Sequence, residues 1–292
     1  MQHTTRLRIL LVTIVIATTS IVFALGPLLT APAPTAVSTL SADFPVESVE
    51  IPSQQGVTVH GWLARGKPGG GVLLLVHSMR SNRMEMLSRA RFLKDQGYSV
   101  LFIDLQAHGE TAGDHITFGL REAENVEASV DFLRKTFPSE RMGAIGASLG
   151  AAAIVLAQQN LKLDAVILES LHPTLEEAVD NRLKLHFGDH GSILLPLMLW
   201  QLSFYLDVSL DALSPITRIN NLNAPVLFIS GTHDVHTTQP ETERLYDAAR
   251  FPKELWIVPG AQHLNMHSYA GREYEQCVSD FLSYYLRPHD DG

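Results

Sequence analysis

Three short stretches carry the groups that turn a hydroxyl into a nucleophile. Gly146-Ala147-Ser148-Leu149-Gly150 sets a serine between two glycines, after an apolar run and before an alanine-rich one. Gly231-Thr232-His233-Asp234 follows the apolar residues 226–230, and Pro259-Gly260-Ala261-Gln262-His263 follows residues 254–258. A serine hydroxyl is a weak nucleophile until a base takes its proton, and an imidazole base needs an acid to fix its orientation. Ser148, His263 and Asp234 are the candidates for these roles. They occur in the chain order Ser, Asp, His, each just after a strand-like run. The chemistry they predict is cleavage of an ester, thioester or amide through an acyl-enzyme. The same groups would serve transfer of the acyl group to an alcohol other than water.

The glycines at 146 and 150 have a physical reason. A G-x-S-x-G turn between strand and helix is so tight that side chains two residues either side of the serine would strike the backbone. Ser148 would then stand at the N-terminus of the next helix, where backbone amides favour developing negative charge. Glu169, after residues 165–168, is a second candidate acid, and His267 a second candidate base. The histidine pair His263/His267 and the group His186, Asp189 and His190 also offer metal donors. No Glu follows His263 as a zinc-protease helix requires. With no Gly-rich phosphate loop or dinucleotide fingerprint either, neither metal nor cofactor is expected.

Three loops converge at one edge only if the strands before them run parallel. From residue 46 onward strand-like and helix-like segments alternate. Strands are expected at 46–51, 57–63, 72–76, 99–103, 142–147, 165–168, 226–230 and 254–258. Helices are expected at 84–96, 120–137, 149–159, 241–249 and 269–286. Such alternation predicts an α/β domain with a mostly parallel sheet and helices on both faces, and its ligand sites lie at the strands' carboxyl ends. Residues 173–214 break the alternation and are expected to form a helical insertion. Their apolar run at 193–200, followed by Leu202, Phe204, Tyr205 and Leu206, would cover an apolar acyl or alcohol group, pack on the main domain, or touch a membrane surface.

The chain has 292 residues, 46% of them apolar, which suits one large domain. A formal net charge of −9 without a Lys/Arg-rich run argues against a nucleic-acid partner. The single cysteine, Cys277, excludes an internal disulfide. Arg6 and Arg8 precede an uncharged run at residues 9–25, about 20 residues with its flank, which is long enough to span a bilayer. Residues 1–29 are expected to be a signal-anchor with the N-terminus inside and the domain outside the cytoplasm. If the segment is cleaved, the domain is secreted. Residues 30–42, rich in Thr, Ala, Pro and Ser, read as a linker, and residues 43–292 as the domain.

Over residues 46–286 the sequence resembles the α/β-hydrolase superfamily, and most closely its bacterial serine aminopeptidase-like and monoglyceride-lipase-like members. The resemblance rests on the three stretches above, on Leu75-Val76-His77-Ser78, on Asp104-Leu105-Gln106-Ala107-His108-Gly109, on Ser214-Pro215-Ile216 and on Ala224-Pro225-Val226-Leu227. It implies an eight-stranded sheet, a cap formed by residues 173–214, a small-molecule or lipid-like acyl substrate, and an oxyanion hole from the amides of Met79 and Leu149. It also implies that His108 is structural. The chain departs from the family at Ser78, where glycine is usual. A serine there would reshape the hole or bring a hydroxyl to the substrate carbonyl, and it leaves open a membrane-tethered binding protein without chemistry.

Overall fold

The computed structural model describes residues 26–287 except 39, 41, 42, 55 and 158–160, together with positions 6, 8, 9, 12, 13 and 23. Eight strands form one sheet: β1 (Glu47–Pro52), β2 (Thr58–Ala64), β3 (Val72–Val76), β4 (Ser99–Ile103), β5 (Met142–Ala147), β6 (Ala165–Glu169), β7 (Val226–Gly231) and β8 (Lys253–Val258). Their spatial order is β8-β7-β6-β5-β3-β4-β2-β1. β1 pairs antiparallel with β2, and β2 with β4; every other neighbour is parallel. All eight lie within a residue or two of where apolar runs place them.

The inner parallel strands are buried along their length and mostly apolar because helices cover both faces, whereas the edge strand β8 carries Lys253 and Glu254 and is only partly buried. Within β3, Val72, Leu74 and Val76 join one core cluster and Leu73 and Leu75 the other, the period of two that a pleated strand imposes. Helices α2 (Glu122–Thr136), α3 (Leu149–Leu156) and α6 (Gln239–Ala248) cover the first face. Helices α1 (Leu87–Asp95) and α7 (Arg272–Leu286) cover the second. α3 is buried on every side, which is why its residues are Leu, Gly, Ala, Ile and Val without a polar stripe. The closing helix expected at 269–286 is interrupted at Gly271, where φ is +49°; a separate turn, Met266–Ala270, precedes α7.

The insertion at 173–214 is helical. It consists of α4 (Leu175–Phe187), α5 (Leu195–Leu206) and short 3-10 turns. Leu175, Val179 and Leu183 of α4 and Met198, Leu199, Leu202 and Leu206 of α5 form their own cluster, closed by Phe118 and Leu213. One face of each helix fills this cluster, which is largely the insertion's own rather than a contact with the main domain, and α4 also roofs the cavity described below.

Most of the expected anchor at 1–29 lies outside the described residues, and among the described residues no helix is long and apolar enough to cross a membrane. The stretch expected as a linker is not a free tether where it is described. Ala33 and Pro34 form a parallel bridge with His108 and Gly109, and Thr30 is fully buried. Composition marks Pro/Thr/Ala stretches as linkers because they seldom supply a core, but here the backbone itself finds partners.

Candidate active site

The elbow after β5 gives Ser148 φ +49° and ψ −106°, an unusual conformation for a residue with a side chain. Its amide donates to the Glu169 carbonyl at 2.8 Å, and its carbonyl accepts from Ala152 at 3.0 Å. The flanking glycines are sterically required. A Cβ on Gly146 would lie 2.6 Å from the Ala151 nitrogen, and one on Gly150 would lie 2.3 Å from the Val76 carbonyl oxygen.

The other two loops meet this serine. His263 Nε2 lies 3.1 Å from Ser148 Oγ, and His263 Nδ1 lies 2.8 Å from Asp234 Oδ2. A carboxylate only accepts, so the imidazole proton sits on Nδ1 and Nε2 is free to accept from the serine hydroxyl. Asp234 is fixed independently, since its Oδ1 accepts from the amides of His236 at 2.9 Å and Thr237 at 2.8 Å. The two loops are also tied to each other, with His233 N donating to Ala261 O at 2.9 Å. Gly231 permits that approach: a Cβ there would lie 2.1 Å from the Ala261 oxygen.

Burial works against the Asp234 charge, but the His263 hydrogen bond and the two amides outweigh it and hold its carboxyl below the usual carboxylate value. A group depressed on folding stabilises the native state above its unfolded pKa, about 3.9, and loses that contribution as pH falls through the depressed value. Asp234→Asn should therefore cost stability at pH 6, and the gap to wild type should shrink towards pH 3. Urea melts of both proteins at the two pH values measure this; a gap that is constant or widens in acid would refute it.

The competing candidates are engaged elsewhere. Glu169 accepts from Tyr274 Oη at 2.7 Å and from Arg89 Nε at 3.0 Å, a group buried beneath the sheet's edge. His267 bridges Ser88 Oγ and Glu275 Oε1, each at 3.0 Å, so it does not compete for Ser148. His108 is fully buried, with Nδ1 2.9 Å from the Gln106 carbonyl. Burial, together with the neighbouring His77, pushes its pKa down to about 4, so it is a neutral structural ring. His186 lies at the wall of the Ser148 cavity, whereas Asp189 and His190 fall in the 3-10 turn between α4 and α5.

Met79, Ser148 and Leu149 all line one cavity of about 300 Å³. Neither amide donates a hydrogen bond to another described residue, which leaves both for an incoming oxygen. Ser78 has no positive φ, so a side chain at this position carries no left-handed strain. Its hydroxyl does not face the substrate as the sequence allowed. It donates to Glu85 Oε2 at 2.6 Å, and the Ser78 amide donates to the same oxygen at 3.0 Å. Burial would raise the Glu85 carboxyl, but these bonds, helped by His77, keep it low and charged. Ser78 thus fastens the turn that presents Met79.

The cavity wall is mostly apolar: Phe118, Leu175, Val179, Leu183 and Met198, with Leu28 and Leu29 from the N-terminal stretch. Sequence reasoning missed its two polar members near Ser148, His172 and Arg182. His172 is buried with Nε2 unpartnered among the described residues. Burial, then the charges of Arg182 and His263, push it down to about 3, so it is neutral. A histidine and a proline in the loop after β6, His172-Pro173, were the available signal.

No family model matches the chain. It is 26% identical to YqkD of Bacillus subtilis over 236 residues, which is 80% of this chain and 77% of that one. It is 29% identical to Rv2307c of Mycobacterium tuberculosis over 256 residues, 86% of this chain and 83% of that one. Among solved structures it is similar to the Pyrococcus furiosus esterase Pf2001, with a TM-score of 0.73 at 23% identity, over 88% of this chain and 98% of that one. Strand order, elbow and this likeness agree, and the chain has the α/β-hydrolase fold.

Proposed function

We propose that this chain is a serine hydrolase that cleaves an ester, thioester or amide of an apolar acyl group. The observation that carries the reading is the continuous relay from Ser148 Oγ to His263 to Asp234 at 3.1 and 2.8 Å, opening into a mainly apolar cavity. The likeness to an esterase supports it at the level of fold. Ser148 attacks the carbonyl carbon as His263 Nε2 takes its proton. The carbonyl oxygen gains negative charge and is held by the amides of Met79 and Leu149. His263 returns the proton to the leaving oxygen, sulfur or nitrogen, and water then repeats the sequence to release the acid. Asp234 keeps the imidazole oriented and stabilises its cationic form.

The test is direct. The full-length chain should hydrolyse p-nitrophenyl butyrate and be labelled by a fluorophosphonate probe at Ser148. Absence of both in a folded sample would refute the reading.

The apolar run at 9–25 is proposed to tether the enzyme to a membrane. Support comes from the cap, where Ile193, Trp200 and Phe204 are 77%, 56% and 73% exposed and Phe23 packs edge-on against Trp200 at 6.0 Å. The full-length chain should sediment with membranes after an alkaline carbonate wash; recovery in the supernatant would overturn the tether.

A further inference from the structure

The stretch that joins the N-terminal apolar run to the domain touches three separate parts of the site. Gly26 N donates to Gln201 Oε1 of cap helix α5 at 3.3 Å. A side chain at 26 would crowd both Gln201 and Tyr205, at 2.9 and 3.1 Å from its Cβ. The Thr30 carbonyl accepts from Ile116 N at 2.7 Å, and Ala33 N donates to Ala107 O at the same distance. The third contact is the turn that carries the oxyanion amide. Arg80, directly after Met79 and itself at φ +58°, donates to the carbonyls of both Leu28 and Leu29. Two residues on, Asn82 Nδ2 donates to Thr35 Oγ1 at 3.2 Å.

These bonds hold Leu28 and Leu29 in the wall of the Ser148 cavity. Leu28 remains largely exposed. Leu29 is half-buried and packs with Met79 against the cap cluster. The cap and the sheet-edge loops therefore do not close the cavity by themselves. Part of its apolar lining belongs to a segment that precedes the first strand of the sheet.

We propose that Leu29 is a specificity-determining residue that limits the length of acyl chain accepted, and that Arg80 is a positioning residue that holds this wall against the oxyanion turn. The inference rests on the hydrolase reading above. Its physical basis is packing: the cavity is small, and one side chain enlarged or truncated at its wall adds or removes room for a few methylenes. Each methylene in an apolar pocket is worth about 10-fold or more in selectivity.

The experiment compares kcat/KM for p-nitrophenyl decanoate and p-nitrophenyl butyrate on the full-length chain. Leu29→Trp should lower the decanoate-to-butyrate ratio about 10-fold, and Leu29→Ala should raise it by a similar factor. Arg80→Ala releases the wall and should shift the ratio in the same direction as Leu29→Ala, through KM more than kcat. Arg80→Lys, still able to reach one carbonyl, should recover part of the wild-type ratio. Ratios within about twofold of wild type in both Leu29 variants would overturn the proposal, as would an Arg80→Ala loss equal for both esters. If Leu29→Trp does not fold, Leu29→Ala decides alone. If wild type hydrolyses neither ester, calorimetric binding of decanoate decides the wall, and the hydrolase reading itself fails if fluorophosphonate labelling is absent too. Weaker binding by Leu29→Trp, or tighter binding by Leu29→Ala, supports it; unchanged binding by both overturns it.

Discussion

Replacing Ser148 with alanine is expected to remove ester turnover and fluorophosphonate labelling together, a loss of about 10³-fold or more in kcat, with the fold retained. The substitution deletes the attacking oxygen but keeps the Ser148 amide bond to Glu169 and leaves the cavity wall unchanged. The amides of Met79 and Leu149 would still polarise a bound carbonyl, so the residual rate measures what they contribute without a nucleophile. His263→Ala should be about as costly, and the double variant little worse than either single one, because the relay acts as a unit. Independent, multiplicative losses would mean that the 3.1 Å contact between Ser148 and His263 is not the working one.

Glu169→Ala is expected to destabilise the protein by about 3–5 kcal/mol, through a different cause. Arg89 is fully buried, and its guanidinium donates to both Glu169 oxygens. Tyr274 Oη donates to the same carboxylate and accepts from Arg89 Nε at 3.2 Å. Burial opposes the Arg89 charge, but Glu169 outweighs it and pushes the guanidinium pKa up. Removing the carboxylate leaves a cation with no water and no counter-ion. Urea melts should show the loss, and Arg89→Met combined with Glu169→Met should recover much of it, since a well-packed apolar pair often matches a buried ion pair. A loss below about 1 kcal/mol for Glu169→Ala would show that the cluster is hydrated in solution. Isosteric amides separate the two candidate acids: Glu169→Gln should keep turnover per folded molecule, and Asp234→Asn should not.

The sheet and the relay were legible because they depend on local pattern. Short runs such as Val72–Val76, preceded by glycines and set in an alternating pattern, suit strands buried on both faces, and loops following parallel strands gather at one edge. That gathering brings Ser148, Asp234 and His263 to one edge, and the tie between the His233 amide and the Ala261 carbonyl completes their approach. What escaped depends on long-range pairing that no spacing encodes. Arg89 looks like one more helix arginine until Glu169 and Tyr274, far along the chain, are placed beside it. Ser78 looked like a damaged oxyanion position because its partner, Glu85, sits on the following turn. Residues 30–42 read as a linker because proline and threonine say nothing about which carbonyl an amide will find; for Ala33 and Thr35 the carbonyls of Ala107 and Gly109 supply the answer.

On the hydrolase reading, the strand order has a consequence for when the molecule could act on its own surroundings. The serine strand β5 sits mid-sheet, but the imidazole proposed to activate Ser148 follows β8, the last strand added at the far edge. The activating contact spans 115 residues of chain. During synthesis, a ribosome releases the serine elbow long before the imidazole has left the exit tunnel. On the proposed relay, a chain stalled or cut before residue 263 lacks its imidazole base and would be chemically silent.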